Sequence, residues 1–335
     1  MAEERFLITG ALGCIGAWTV RNLLHDGAEV TVFDLASDPR RLKLVLTDEE
    51  LGRVTFETGD ITDLEGFQAA LDKNDITHVI HLAGLQVPFC KADPPQGARV
   101  NVVGTVNVFE AVKRRLDRIS RVTYASSIAV FGAPEDYDEG APLRDDDKLI
   151  PHTHYGVYKQ ANEGTAHVYW SDDGVPSIGL RPYVVYGVGR DQGVTSTPTT
   201  AMLAAAADIP YHISYGGQTV FQYADDTARA FIQSARSDYQ GAAAHNLGGL
   251  MPHMREVKAA IEAAAPESGE KITFEDMQLP FPAEVDGSGL EAAIGTVSHK
   301  PLTEGVAETI EMFRGLIESG KIDPVAYVDE RSELS

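Results

Sequence analysis

The chain has 335 residues, is 43% hydrophobic and carries a net charge of −22, which is enough apolar material for a large core in one or two adjoining domains. So large an excess of acid argues against nucleic acid or an anionic membrane as a partner, since both demand clustered Lys and Arg. No apolar run reaches the length of a membrane span, and residues 1–5 hold two glutamates and lead straight into a strand pattern, against a signal peptide. Cys14 and Cys90 show neither metal-site nor disulfide spacing, and the ten histidines form no metal-binding pattern, so no metal and a reducing cytoplasm are expected.

Residues 6–8 read as a short buried strand, followed by Thr9-Gly10-Ala11-Leu12-Gly13-Cys14-Ile15-Gly16 and a helical pattern through Leu24. In that order Gly10 permits a tight turn, Gly13 lets the backbone approach a pyrophosphate, and Gly16 allows close packing of helix and strand. The helix N-terminus offers its N–H groups and partial positive charge to phosphates. Cys14 fills space there as a small apolar residue. A second strand, residues 29–33, ends at Asp34, eighteen residues past Gly16, where a carboxylate can accept both ribose hydroxyls of adenosine. It would repel a 2′-phosphate, which favours NAD over NADP, although Arg40 and Arg41 lie near enough to keep NADP open.

Further strands are expected at residues 54–58, 78–82, 121–125 and 177–181, with helices over 102–116 and 155–170. Strands alternating with helices imply a doubly wound parallel sheet of the α/β class, whose ligands bind at the carboxyl ends of the strands. That rule brings Gly59-Asp60-Ile61-Thr62-Asp63, Ala83-Gly84-Leu85-Gln86 and Ser126-Ser127 to one crevice. The first could equally be a turn with a helix cap, and the serines could be turn hydroxyls. The acidic stretch 135–147 reads as a solvated loop. Tyr155 and Lys159, four apart, face the same side of a helix, where the cation would favour the phenolate of a group that otherwise titrates near about 10. Beyond Gly187 the alternation breaks into short strands at 211–214 and 219–223 and a helix at 226–234, as in a smaller lobe over the crevice; residues 331–335 read as a frayed tail.

These motifs, with His81-Leu82-Ala83-Gly84, Asn101-Val102-Val103-Gly104-Thr105, Ser126-Ser127-Ile128-Ala129-Val130-Phe131-Gly132, Tyr155-Gly156-Val157-Tyr158-Lys159 and Arg181-Pro182-Tyr183-Val184-Val185-Tyr186-Gly187, resemble the extended short-chain dehydrogenase/reductase family, also called NAD-dependent epimerase/dehydratases. The resemblance implies a Rossmann-type domain over residues 1–186 and, over 187–330, a smaller C-terminal α/β lobe that mainly binds substrate, some of whose segments return to the Rossmann core. It makes Tyr155 the general acid/base, Lys159 the group that lowers its pKa and binds the nicotinamide ribose, and Ser127 the hydroxyl on the reacting oxygen. Gly10, Gly13, Cys14, Ile15, Gly16, Asp34, Asp60, Ile61, Leu82, Ala83, Gly84, Asn101, Pro182, Tyr183 and Val184 become cofactor contacts. Gln86, Ser126, Arg190, Thr195 and Ser196 are candidates to line the substrate pocket, or else ordinary loop residues. A homodimer through the tyrosine helix and its predecessor is implied as well.

The chain departs from the pattern in two informative ways. Ile128 and Ala129 stand where 4,6-dehydratases carry an Asp-Glu pair, which disfavours that dehydration. Val184 and Thr219 replace the asparagine and arginine with which nucleotide-sugar members hold a diphosphate, and residues 281–286 do not match the late P-G-D-V-R element. A diphosphate needs charge-assisted partners, so the expected reaction is NAD-dependent oxidation of a secondary alcohol on a small sugar-like or cyclic substrate that is not a nucleotide sugar. The alternatives are an epimerase with firmly held NAD and a non-catalytic dinucleotide sensor.

Overall fold

The computed structural model describes residues 4–138 and 140–332. Seven strands form one parallel sheet: β1 (Arg5–Thr9), β2 (Glu29–Asp34), β3 (Thr55–Thr58), β4 (His78–His81), β5 (Val122–Ala125), β6 (Ser177–Arg181) and, much later in the chain, Ala242–Asn246. Two small parallel pairs lie outside it. One joins β7 (Val184–Tyr186) to β9 (Phe221–Tyr223), the other β8 (Tyr211–Ile213) to β11 (Ile272–Phe274), so the late sheet strand is β10. The sheet order is β10-β6-β5-β4-β1-β2-β3, and the chain reverses direction across it between β1 and β4. That reversal opens a crevice at the carboxyl ends of those two strands.

Alternation along β1 explains why both faces are covered. Phe6 and Ile8 join a cluster with Trp18, Val20 and Leu180 on one side, while Leu7 joins Phe33, Phe67, Phe109 and Tyr124 on the other. With helices on both faces there is no polar side to the strand, and its sequence is a continuous apolar run. The six strands expected from the sequence are present with ends moved by at most a residue. β10 escaped notice because Ala242-Ala243-Ala244 offers none of the β-branched or aromatic residues that mark a strand.

The helix expected over 102–116 begins earlier. Asp93 caps Pro94–Ala98 by accepting from the Gln96 N–H (3.0 Å), and the run continues through a π-helical turn, Arg99–Val103, into Gly104–Lys113. The wide turn carries Asn101, fully buried, toward the crevice. The tyrosine helix spans His154–Asp173, capped by the Thr153 hydroxyl and ended by Gly174 in the left-handed region. The acidic stretch is not simply a solvated loop. Leu143 is buried, and Asp145 accepts from Asn246 N–H (2.6 Å) and pairs with His245 Nδ1 (2.6 Å), because the ends of β6 and β10 present donors that need acceptors. The last helix covers Pro324–Ser332, and the rest of the expected frayed tail lies outside the described residues.

A buried chain of hydrogen bonds ties β1 to β4. Ala83 N–H donates to Thr9 Oγ1 (3.2 Å), Thr9 and His81 Nδ1 meet at 2.7 Å, His81 Nε2 and Thr105 at 3.0 Å, and Thr105 donates to the Asn101 carbonyl (2.7 Å). Since Thr105 spends its proton on that carbonyl, it must accept from His81, which places the imidazole proton on Nε2. Burial pushes His81 down to about 3, with the Lys159 charge adding to the effect. The unfolded chain therefore takes up a proton near its ordinary 6.5 while the folded chain does not, and stability falls as pH drops from 6.5 toward 3. Urea melts at pH 7 and 5.5 should show this loss, and a His81→Gln variant should show a shallower pH slope in that window.

Candidate active site

Each glycine of the loop after β1 has its own reason. Gly10 has φ of +66°, and a Cβ there would lie 2.6 Å from Ala83 N; at Gly16 it would lie 2.5 Å from Ala11 Cα. Those two are required by the protein's own backbone. A Cβ on Gly13 would meet only Gly10 O, at 3.2 Å, so the face above Gly13 is open. Helix Cys14–His25 starts there without a side-chain cap, leaving its first-turn N–H groups available to an anion. Asp34 at the end of β2 accepts from Leu12 N–H and Ala36 N–H, both at 3.2 Å, which aims the carboxylate beside the loop. An open, uncapped cradle flanked by a fixed carboxylate fits a dinucleotide with free ribose hydroxyls.

Arg41, which could have met a 2′-phosphate, is held elsewhere. Its Nε and Nη2 donate to Asp191 Oδ1 (3.0 and 2.6 Å) and its Nη1 to the Leu12 carbonyl (3.0 Å). The side chains are only 14% and 5% exposed. Arg40 is exposed. Cys14 is half-buried, and desolvation pushes its thiol up to about 12.

Across the crevice, Asp60 caps its own turn through Thr62 N–H (2.8 Å), and buried Ile61 gives its carbonyl to Asn107 (2.9 Å). Leu82 N–H bonds Thr9 O (3.0 Å), which aligns Ala83 and Gly84. A Cβ on Gly84 would lie 3.0 Å from Asn101 Oδ1 and 3.4 Å from Lys159 Nζ, so these three converge. Lys159 Nζ donates to the Ala125 carbonyl (2.7 Å) and sits 5.6 Å from the centroid of the Tyr155 ring. Burial lowers Lys159 to about 8. Tyr155 itself stands above its ordinary value: burial raises it, while the Ser127 hydroxyl and the charge of Arg190 pull it down. Two cations thus stand near the phenol: Lys159, whose ammonium donates to Ala125 O while lying over the Tyr155 ring, and Arg190, whose charge lowers it.

Other candidates are less accessible. Ser126 is buried and gives its hydroxyl to Glu163, which also receives Arg181 (2.9 and 2.8 Å). Ser196 is buried at the start of helix Thr197–Ala206. Tyr183 sends its hydroxyl to the Pro282 carbonyl (2.9 Å), while Val184 and Thr219 are wholly enclosed. Thr195 accepts from Arg190 Nη2 (2.7 Å), and Gln86 Oε1 lies beside Gly193 in the same turn. Glu163 escaped the sequence reading, although it lies four residues past Lys159 on the tyrosine helix, the spacing that places it behind the ammonium. Among the described residues no group of three or more His, Cys, Asp or Glu could hold a metal ion, and no helix is long and apolar enough to cross a membrane.

Residues 6–248 match the profile of the NAD dependent epimerase/dehydratase family. A UDP-glucose 4-epimerase of Mycolicibacterium smegmatis is 31% identical over 323 residues, 92% of this chain and 98% of that protein. Among solved structures, the UDP-glucose 4-epimerase of Thermus thermophilus in complex with NAD is 26% identical with a TM-score of 0.76, covering 93% of this chain and 99% of that one. An L-threonine dehydrogenase of Clostridium difficile shares the fold at 23% identity and a TM-score of 0.78, covering 96% and 100%. The cofactor is NAD.

Releasing Arg41 should loosen the choice of dinucleotide. In an Asp191→Asn variant, NADPH should bind about tenfold more tightly relative to NADH than in the parent, the worth of one charge-assisted hydrogen bond of roughly 1.5 kcal/mol. Titration of the protein's fluorescence with each dinucleotide reads that ratio without any substrate.

Proposed function

The chain belongs to the NAD dependent epimerase/dehydratase family, and within it we propose a dehydrogenase that oxidises the secondary alcohol of a small sugar-like or cyclic substrate other than a nucleotide sugar. The observation that carries this reading is the meeting of Ser127, Tyr155, Lys159 and Asn101 beside an open cradle, while the positions that would hold a diphosphate are the enclosed Val184 and Thr219. In this reading residues 1–186 hold the cofactor and 187–330 mainly the substrate.

Bound NAD supplies the hydride acceptor. Everything else falls to the side chains. The substrate hydroxyl sits against Ser127, which stands beside the Tyr155 phenol and lowers it, and Tyr155 removes the alcohol proton as general base. Lys159, Gly84 and Asn101 converge and would together hold the nicotinamide ribose. The Lys159 pKa of about 8 leaves it largely an ammonium at neutral pH, able to donate. Because burial holds the phenol up, ionised Tyr155 is scarce at pH 7, so the rate should rise with pH. Removing the Arg190 charge should move that rise to still higher pH.

An epimerase reading has one specific support, the 31% identity to the mycobacterial UDP-glucose 4-epimerase along nearly its whole length. The two differ in what leaves the enzyme: a dehydrogenase releases ketone and NADH, whereas an epimerase keeps NAD through gel filtration and yields an epimer with no net NADH. A sensor without chemistry is opposed by retention of both Tyr155 and Lys159. We also propose a homodimer, because Val157 and Val168 on the tyrosine helix and Val103 on its predecessor are 46%, 53% and 46% exposed. Light scattering on the eluting peak tests it.

Incubation with NAD and a panel of sugars, sugar acids and lactones should raise NADH absorbance. Tyr155→Phe should lower that rate by about 10²- to 10⁴-fold while leaving NAD binding intact. Interconversion of a nucleotide sugar, with no NADH formed from any member of the panel, would overturn the dehydrogenase reading.

A further inference from the structure

Arg190 stands at the crevice without a carboxylate partner among the described residues. Arg41, by contrast, pairs with Asp191 and Arg181 with Glu163. Its Nη2 is fixed on Thr195 (2.7 Å), and its Nε is shut away from solvent with no acceptor. A buried guanidinium N–H without an acceptor costs free energy unless a ligand supplies one. The same charge acts on the Tyr155 phenol, and Arg190 Nη2 and Gln86 Oε1 both approach Gly193. An oxyanion bound to this fork would sit where the Arg190 charge already reaches the acid/base group.

We propose that Arg190 binds the carboxylate of the substrate, so that the alcohol oxidised at Tyr155 belongs to a hydroxy acid. This rests on the dehydrogenase reading above and names its substrate class. A planar fork with one arm already fixed is well suited to a carboxylate, which offers two oxygens in a plane. The step balances simply: the carbinol C–H leaves as hydride to NAD, the O–H proton goes to Tyr155, and the carboxylate is unchanged. The pyrophosphate of NAD presents similar chemistry, and Arg190 also acts on Cys14 at the start of the glycine-loop helix. That helix already offers uncapped amides to the pyrophosphate, however, whereas Nη2 is fixed from the turn that faces Gln86.

The two sources separate in an equilibrium experiment. NADH with an alcohol forms a dead-end complex, so binding can be measured without turnover. Calorimetry on the NADH-loaded protein would compare gluconate with glucitol, and 3-hydroxybutyrate with butane-1,3-diol. At least one acid should bind the parent about 10- to 100-fold more tightly than its neutral counterpart. That preference should vanish in Arg190→Gln and survive in part in Arg190→Lys, with NADH affinity unchanged in both. Equal binding of acids and neutral partners, or no binding of any probe to the parent, overturns the proposal. So does an Arg190→Gln variant that loses NADH affinity while the preference stays. Full turnover in Tyr155→Phe would instead sink the dehydrogenase reading and leave the binding preference untouched.

Discussion

The backbone of the loop after β1 passes so close to that of the loop after β4 that only a glycine fits at position 10. The rest of the site depends on that contact. It lies where the sheet changes direction, between the two strands whose carboxyl ends frame the crevice. The chain from Ala83 through Thr9, His81 and Thr105 to Asn101 holds the two loops together from beneath, every member satisfied and none charged. Asn101 then reaches from a π-helical turn to bond both the N–H and the carbonyl of Leu85, at 2.7 and 3.0 Å. The surface presented to a dinucleotide is thus fixed by hydrogen bonds that never touch it, the support a precise site requires.

Charge is handled differently at each buried cation, and the differences sort structural from chemical roles. Arg181 is enclosed by Glu163, the Asp145 carbonyl and the ring of Phe131, so its fork is spent on joining β6 to the tyrosine helix. Arg41 is spent on a latch between the segment after β2 and the loop after β7. Lys159 has a single carbonyl and a depressed pKa, the condition of a group with donors to spare. Only partners across the sheet reveal this, since Asp191 is 150 residues from Arg41.

Much of the frame was legible because it is local. A continuous apolar run, a glycine spacing and a helical i, i+4 pair are written within a dozen residues, and the strands, the cradle, Asp34 and the Tyr155–Lys159 face all follow from them. What was not legible needs partners distant in sequence. β10 is an alanine-rich strand made by its neighbour β6 rather than by propensity. The acidic stretch looked solvated until Arg181, His245 and Asn246 were seen to need its oxygens. Nor could a same-face spacing say that Ala125 O accepts from the Lys159 ammonium while the cation lies over the Tyr155 ring.

The nature of the substrate anchor bears directly on the reaction. An epimerase must keep its ketone while the ring turns over, which requires an anchor remote from the reacting carbon, as a nucleotide provides. An anchor at Arg190 would share the crevice with the phenol that removes the proton, which the Arg190 charge already reaches. A small acid gripped by its carboxylate inside the crevice has little freedom to present its opposite face. Enclosure of Val184 and Thr219 points the same way, since no distant hold for a diphosphate is built there. On the proposed reading, oxidation followed by release is therefore what this crevice favours, and a carboxylate grip inside the crevice, more than the identity of the base, separates it from its epimerase relatives.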